Sequence, residues 1–322
     1  MKAYVVESWC DPQDLKFKDV PDPKPDKDQI VIDIKACGMN FPDMLLIQGK
    51  YQIRPTRPFI PGTEVSGVVS ALGENVKNLK LGDRVMALSW LGGYAEKVAI
   101  PAKDAFLIPE KMSFDEAAAF NVTYQSSYFA VVVRGKLQKT ETLLVHAGAG
   151  GIGTAAIQIG KAIGSKVYAT VGSEEKVEIA KKAGADLVLN YSDPQWAKKL
   201  RKEHGGADVV IDPVGGEVFD KTILSVNFEG RIVVVGFTSG TIPKVPTNLV
   251  LLGNISIIGL FWNLYQQNHP MKIQGAMNDL ISWFNEGKIK PIISKTVPLI
   301  EAPKALVDIG TRKSHGKVVL IP

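Results

Sequence analysis

An α/β protein is predicted, with a doubly wound parallel sheet and a separate β-rich domain, and three observations predict it. From Thr142 onward, strand-like and helix-like segments alternate; residues 1 to about 120 instead show short alternating segments cut by Pro and Gly; and Thr142–Gly153 reads as a buried strand running into a glycine turn and then a helix. With 322 residues and 45% hydrophobic composition, the chain can bury large cores and is long enough for two domains.

In the glycine turn, Gly148, Gly150 and Gly153 fill the places of G-x-G-x-x-G. The first suits a tight turn, the second lets backbone approach a pyrophosphate, and the third lets helix pack on strand. Thr154 to Ile163 carries Ala, Ile and Gly at helical spacing, so the helix start points free N–H groups and a positive dipole end at phosphates. This is the signature of a dinucleotide-binding Rossmann unit.

Bulk properties narrow the rest. The net charge of +5 is spread as Lys among Asp and Glu, which reads as a solvated surface rather than a nucleic-acid patch. Cys10 and Cys37 stand far apart, which excludes a disulfide scaffold and any C-x-x-C site. The opening Met1-Lys2-Ala3-Tyr4-Val5-Val6-Glu7 meets an acid too soon for a secretory segment, and no run of about 18 apolar residues occurs. A cytoplasmic, non-membrane protein is expected.

Along the chain, Gln29–Lys35, Val65–Leu72 and Tyr94–Ile100 are expected strands of the first domain, and Pro21 to Asp26 is a rigid surface connection. A helical stretch, Phe114–Val133, leads toward the glycine turn. Strands follow at Leu143–His146, Lys166–Thr170, Asp186–Asn190, Asp208–Asp212, Arg231–Val235 and Ile255–Leu260; a helix over Glu174–Ala183 has Ser173 to cap it and Gly184 to end it. The tail adds a long helix ending near Gly287, a strand at Ser294–Val297, a helix at Pro303–Gly310 and a strand at Lys317–Ile321, assigned back to the first domain. The expected division is therefore residues 1–122 with 264–322, and residues 123–263.

Ala36-Cys37-Gly38-Met39-Asn40, Gly49-Lys50-Tyr51, Pro61-Gly62-Thr63-Glu64, Gly82-Asp83-Arg84-Val85, Gly92-Gly93-Tyr94-Ala95-Glu96, the glycine turn, Lys182-Ala183-Gly184-Ala185 and Gly316-Lys317-Val318-Val319 occur in this order. In these the chain resembles the zinc-free quinone oxidoreductase (zeta-crystallin-like) branch of the medium-chain dehydrogenase/reductase superfamily. The resemblance implies a GroES-like catalytic domain interrupted by the Rossmann domain. Zinc-dependent members need Cys, His and a further Cys or acid around an open position. Here Cys37 stands at the first ligand position, Thr63 replaces the His before Glu64, and Asn121-Val122-Thr123 offers no thiolate, so no metal is expected and Cys37 reads as a small core residue.

The choice of nicotinamide cofactor is made after the second strand. An acid there would serve a ribose 2′-OH, but the chain has Thr170-Val171-Gly172-Ser173 and then Lys176, a hydroxyl and a cation that favour a 2′-phosphate and therefore NADPH. The resemblance implies that Ser173, Lys176, Tyr191 and Arg312 surround the 2′-phosphate and adenine. It also places Asn40, Ser126, Gly151, Ile152, Gly236, Phe237, Ser239, Leu260, Phe261 and Asn263 along the cofactor.

Hydride transfer needs mainly that two carbons be held in contact with water kept out. Tyr51 and Asn40 are the candidate catalytic residues. Tyr51 would hydrogen-bond the acceptor carbonyl or lend it a proton, the alternative being a ring packed at the pocket rim. Leu45 stands where relatives have a second Tyr, and Phe41, Leu45, Phe261, Trp262 and Tyr265 are candidates for an apolar slot. The expected activity is NADPH-dependent, zinc-independent reduction of a quinone or an α,β-unsaturated carbonyl. The alternatives are an enoyl- or acryloyl-CoA-type reductase, which a mildly basic surface suits, and an NADPH-binding structural or RNA-binding crystallin-like protein. The strand at 255–260, lacking Lys, Glu and Pro, is the expected sheet edge and homodimer interface.

Overall fold

In a computed structural model describing residues 1–322, the chain divides into two units, Met1–Val122 with Pro291–Pro322, and Thr123–Lys290.

The first unit is built on a sheet ordered Ile293–Pro298, Lys317–Ile321, Gln29–Gly38, Glu64–Leu72, Arg84–Leu88 and Ala105–Leu107, with Lys97–Pro101 also paired to Gln29–Gly38. Gln29–Gly38 is its spine. It runs three residues beyond the expected Lys35 and takes Glu64–Leu72 antiparallel on one side and both Lys97–Pro101 and Lys317–Ile321 on the other. Register shifts at Val31/Ile32 and Ile34/Ala36 bend it, so more than one face is buried and its simple alternation fails. Ile30, Ile32, Ile34, Val65, Val85, Tyr94 and Leu320 meet in one core, each contributing roughly 1.5–3 kcal/mol of burial for its larger side chains. Tyr94 is a wholly buried residue ahead of its strand, which begins at Lys97 rather than Tyr94. A short hairpin, Lys2–Val5 with Lys16–Asp19, lay below sequence resolution.

The single expected helix over 114–133 is broken. Ser113 caps Phe114–Ala118, its hydroxyl accepting from Glu116 N at 3.1 Å while Glu116 returns the bond to Ser113 N at 2.9 Å. A second helix, Asn121–Tyr128, carries the chain into the second unit and widens into a π-helical turn at Phe129–Arg134.

The second unit is a six-stranded parallel sheet, ordered Leu187–Asn190, Lys166–Val171, Thr142–Val145, Ala207–Asp212, Val226–Val234 and Ser256–Gly259. The chain leaves its first strand in one direction and later returns to that strand's other side, which makes the carboxyl end of Thr142–Val145 the switch point where ligands bind in such sheets. Residues 264–290, expected in the first domain, belong here. Tyr265 stacks 4.5 Å from Phe129, Tyr128 hydrogen-bonds Asp279, and the helix Pro270–Asn285 buries Ile273, Ala276, Met277 and Leu280. An amphipathic pattern announces a buried face without saying which core receives it.

In each unit burial shifts a wholly enclosed titratable group whose titration bears on stability. In the second, His146 Nε2 donates to Thr222 Oγ1 at 2.7 Å, because the Thr222 hydroxyl is itself committed to Val218 O, and Nδ1 accepts from Thr170 at 2.7 Å. Desolvation pushes its pKa down to about 4. In the first, Asp43 accepts from Asn40 N at 2.8 Å and from Tyr94 OH at 3.0 Å through Oδ2 alone, Oδ1 having no partner. Desolvation raises it from 3.8 to about 7. The two act on stability with opposite signs over one window. His146 contributes stability above its ordinary value of 6.5 that is lost as pH falls toward 4; Asp43 contributes stability below 3.8 that is lost as pH rises toward 7. Asp43→Asn should therefore gain thermal stability relative to wild type as pH rises from 4 to 8. A melting-point difference that stays constant across calorimetric scans in this range would mean that the carboxyl is not raised.

Candidate active site

The three glycines of the turn differ in what the protein's own packing requires of them. Gly153 lies so close to the turn that a Cβ there would sit 2.2 Å from Ala147 O and 2.8 Å from Gly148 Cα, so only glycine lets the helix Gly151–Ile163 pack down on the strand. The left-handed residue of the turn is Ala147, φ +50°, and Gly148 after it is needed for close packing, since a Cβ there would lie 2.8 Å from Ala169 Cβ. A Cβ on Gly150 would meet nothing nearer than Ala147 O at 3.4 Å, so its lack of side chain is not required by the protein's own packing. Gly150 caps the helix without a side-chain bond, leaving the first-turn N–H groups of Gly151, Ile152 and Gly153 to an anionic ligand.

Around this turn the parallel strands end in the loops expected to hold a dinucleotide. After Lys166–Val171 come Gly172 and Ser173. A Cβ on Gly172 would lie 2.9 Å from Tyr191 OH, so the Tyr191 ring sits directly over this loop. Ser173 makes no capping bond: the chain opens as a 3₁₀ turn, Glu174–Lys176, and the α-helix starts only at Val177. The Ser173 hydroxyl is thus not spent on the helix, Lys176 is half-buried beside it, and Glu174 is drawn aside by Asn190 Nδ2 at 3.1 Å. Gly236, Phe237 and Ser239 follow Val226–Val234, folded over the loop after Ala207–Asp212: Thr238 N and Ser239 N donate to Pro213 O and Val214 O. Asp212 Oδ1 takes the N–H groups of Val214 and Gly215 at 2.7 and 3.0 Å and fixes that loop. Ser126 is buried, and its neighbour Ser127 ties to Ile152 O at 3.0 Å. Leu260 and Trp262 are buried, Asn263 begins a short helix, and Phe261 is exposed.

In the first unit the sequence-predicted Asn40 proves to be the centre of a buried charge network. Lys317 Nζ donates to Glu64 Oε1 at 2.6 Å, Asn40 Oδ1 at 2.8 Å and Met39 O at 2.8 Å; Asn40 Nδ2 donates to the same Glu64 oxygen at 2.9 Å. Glu64 Oε2 accepts Val122 N at 2.8 Å. Gly38 makes room, since a Cβ there would lie 2.7 Å from Glu64 Oε1. Asn40 also begins the helix Phe41–Ile47, with Pro42 in its first turn. Sequence reasoning missed Lys317, Glu64 and Asp43 as site residues. A lone lysine opening the otherwise apolar strand Lys317-Val318-Val319-Leu320-Ile321 was the available signal.

These residues do not suit zinc. Cys37 is wholly buried, and burial, followed by the Asp43 and Glu64 carboxylates, pushes its thiol well above the ordinary range, away from the thiolate that binds metal. Glu64 is committed to Lys317, Thr63 offers only a hydroxyl, and no three His, Cys, Asp or Glu side chains are grouped to hold an ion.

Tyr51 follows the helix Phe41–Ile47, half-buried, its N–H on Leu45 O at 3.2 Å; Leu45 and Phe41 are half-buried in that helix. Tyr265, proposed for an apolar slot, has its ring against Phe129. Arg312 is exposed, at φ +60°, just past the helix Ala302–Gly310 of the first unit, whereas Ser173, Lys176 and Tyr191 belong to the second.

Comparison with known proteins agrees with this architecture. Residues 26–110 match the alcohol dehydrogenase GroES-like domain and residues 151–282 match the family described as zinc-binding dehydrogenase. The chain is 42% identical over 296 residues to quinone oxidoreductase-like protein 2 of Bos taurus, spanning 91% of this chain and 84% of that protein. It is 32% identical to the quinone oxidoreductase of Sus scrofa over 100% of this chain and 98% of that one. The crystal structure of Escherichia coli quinone oxidoreductase complexed with NADPH superposes with a TM-score of 0.92 at 30% identity, covering 100% of both chains. The chain belongs to the quinone oxidoreductase branch of the medium-chain dehydrogenase/reductase superfamily.

Proposed function

We propose that this oxidoreductase is NADPH-dependent and zinc-independent, and that it delivers hydride to a quinone or to the β-carbon of an α,β-unsaturated carbonyl. The observation that carries the reading is the loop after Lys166–Val171. It offers Lys176 and the Ser173 hydroxyl, which is not spent on a helix cap, where a ribose 2′-OH would call for an acid, with Glu174 held off by Asn190. A hydroxyl and an ammonium suit a phosphate. The NADPH complex of the Escherichia coli relative is in keeping with this.

NADPH supplies the hydride when bound. The protein's part is to bind and orient. The N–H groups of Gly151 and Ile152 take the pyrophosphate, Gly150 lets it approach, and Ser173, Lys176, Tyr191 and Arg312 read the phosphorylated adenosine. Ser126, Gly236, Phe237, Ser239, Leu260, Phe261 and Asn263 follow the remainder. Tyr51 hydrogen-bonds the acceptor carbonyl, and the apolar Leu45 beside it excludes water. With Cys37 protonated and Glu64 paired, the carbonyl is polarised without a metal. Two free cysteines accord with a reducing, cytoplasmic setting.

A second reading has its own support. Lys50, Arg54 and Arg57 crowd the segment around Tyr51, no acid occurs between Asp43 and Glu64, and the Arg57 guanidinium is held 4.5 Å over the Trp9 ring. An acceptor with an anionic tail, such as an enoyl-CoA, would find a complementary surface there.

The acceptor assignment is tested by following NADPH oxidation at 340 nm with a quinone, a free enone and an enoyl-CoA, each with and without chelator. Turnover of the first two, unaffected by chelator, is expected. Turnover of the CoA ester alone, falling with salt and with Arg54→Glu, would transfer the assignment to the second reading, and chelator-sensitive activity would end the zinc-free one.

Cofactor choice should rest on Ser173 and Lys176. The double change Ser173→Asp, Lys176→Ala should weaken NADPH at least about tenfold, the roughly 1.5–3 kcal/mol of a charge-assisted bond, and leave NADH little altered. Equal weakening of both, in a fluorescence titration, contradicts the assignment.

Ser256–Gly259 is the last strand of its sheet, and Leu251, Leu252 and Ile242 are prominently exposed in the segments preceding it. We infer a two-fold dimer through this edge. Sedimentation should give a dimer that Ile257→Lys dissociates; a single 35 kDa species unchanged by the substitution excludes it.

A further inference from the structure

Between Ser173 and Lys176, the hydroxyl and cation of the loop after Lys166–Val171, stand two exposed acids, Glu174 and Glu175. A carboxylate in this loop is what a ribose 2′-OH calls for and what a 2′-phosphate is repelled by. The segment thus carries groups suited to either nicotinamide cofactor. The direction of Glu174 is set from the neighbouring strand. Asn190 is the last residue of Leu187–Asn190 and pairs with Val171, which places it beside the start of the loop. Ser192 N donates to its Oδ1 at 2.9 Å. A backbone N–H only donates, so the atom it meets is the amide oxygen, and the NH₂ faces the other way. That NH₂ donates to Glu174 Oε1 at 3.1 Å. The segment carrying Asn190 is itself tied down: Tyr191 N donates to Val171 O at 2.9 Å, Asp193 N to Asn190 O at 3.1 Å, and Ser192 Oγ to Gly172 O at 3.3 Å.

We infer that Asn190 is a specificity-determining residue, which keeps the preference on NADPH by holding the Glu174 carboxylate away from the ribose 2′ position. This rests on the NADPH reading above and deepens it: the acid that would favour NADH is present in the loop, and a side chain on the next strand restrains it. Released, Glu174 is a like charge beside the 2′-phosphate of NADPH and an acceptor for the adenosine ribose hydroxyls of NADH. Ser173 and Lys176 supply the attraction for the phosphate, and Asn190 removes the repulsion.

The test titrates NADPH and NADH, at low and high salt, into wild type, Asn190→Ala, Glu174→Gln and Asn190→Ala/Glu174→Gln. Asn190→Ala should bind NADPH on the order of fivefold more weakly and NADH more tightly, and the loss should shrink in salt, as a repulsion between exposed charges does. Glu174→Gln alone should leave NADPH within about twofold of wild type, and in the double variant it should restore what Asn190→Ala lost. Should Asn190→Ala fail to fold, Asn190→Asp takes its place, because it keeps the acceptor for Ser192 N. Its partner is then Asn190→Asp/Glu174→Gln, which exchanges acid and amide at unchanged charge and should bind NADPH as wild type does. NADPH and NADH weakening together, a loss that Glu174→Gln does not restore, or no change in a folded variant overturns the inference. Wild type binding NADH more tightly than NADPH would instead sink the NADPH reading, and this inference with it.

Discussion

The ion pair between Lys317 and Glu64 is the constraint on which the first unit depends. Taking an ammonium and a carboxylate out of water costs several kcal/mol per ion, offset only when each finds its full set of partners. Here each does, and the partners come from Met39, Asn40, Glu64 and Val122. The chain leaves this unit at Val122 and returns at Pro291, so the strand Lys317–Ile321 must find its place beside Gln29–Gly38 after a long excursion. Two backbone pairings, Val319 with Gly38 and Leu320 with Cys37, are little to fix a register. A buried charge that is satisfied in one register and stranded in any other fixes it sharply.

The same pair connects fold to chemistry. It occupies the neighbourhood of Cys37, keeps the Glu64 carboxylate engaged, and leaves Asn40 at the helix start with its amide pinned. In the second unit the corresponding economy is achieved by omission. Gly153 lets helix touch turn because a single Cβ would collide with Ala147 O, and the helix start is left without a side-chain cap.

The sequence discloses the parallel sheet well because its strands are buried on both faces and read as continuous apolar runs. Thr142–Val145, Lys166–Val171 and Ala207–Asp212 fall within a residue of expectation. The first unit is less legible. Lys2–Val5 and Lys16–Asp19 are short and charged, and Phe41–Ile47 is too brief for a helical period to show. The glycine turn and its loops could be read locally, since their chemistry lies in consecutive residues. The Lys317 network could not: its members are 253 positions apart, and nothing in a periodicity says which buried polar residues will meet. The assignment of 264–290 failed for a related reason, because contact with Phe129 and Tyr128 is decided by tertiary packing.

One side chain joins the two ends of the second unit. Gln158, on the helix of the glycine turn, accepts from Tyr124 OH at 2.6 Å and from Lys290 N at 2.8 Å, and donates to Lys290 O at 2.9 Å. Tyr124 lies just past the point where the chain enters the unit, and Lys290 is where it leaves. An insertion whose ends are clasped together occupies, from its host's point of view, little more than a short loop. Such a clasp makes the dinucleotide unit a cassette: it can be lengthened, shortened or exchanged in evolution while the interrupted β-rich unit continues to fold around the same closely spaced pair of chain crossings.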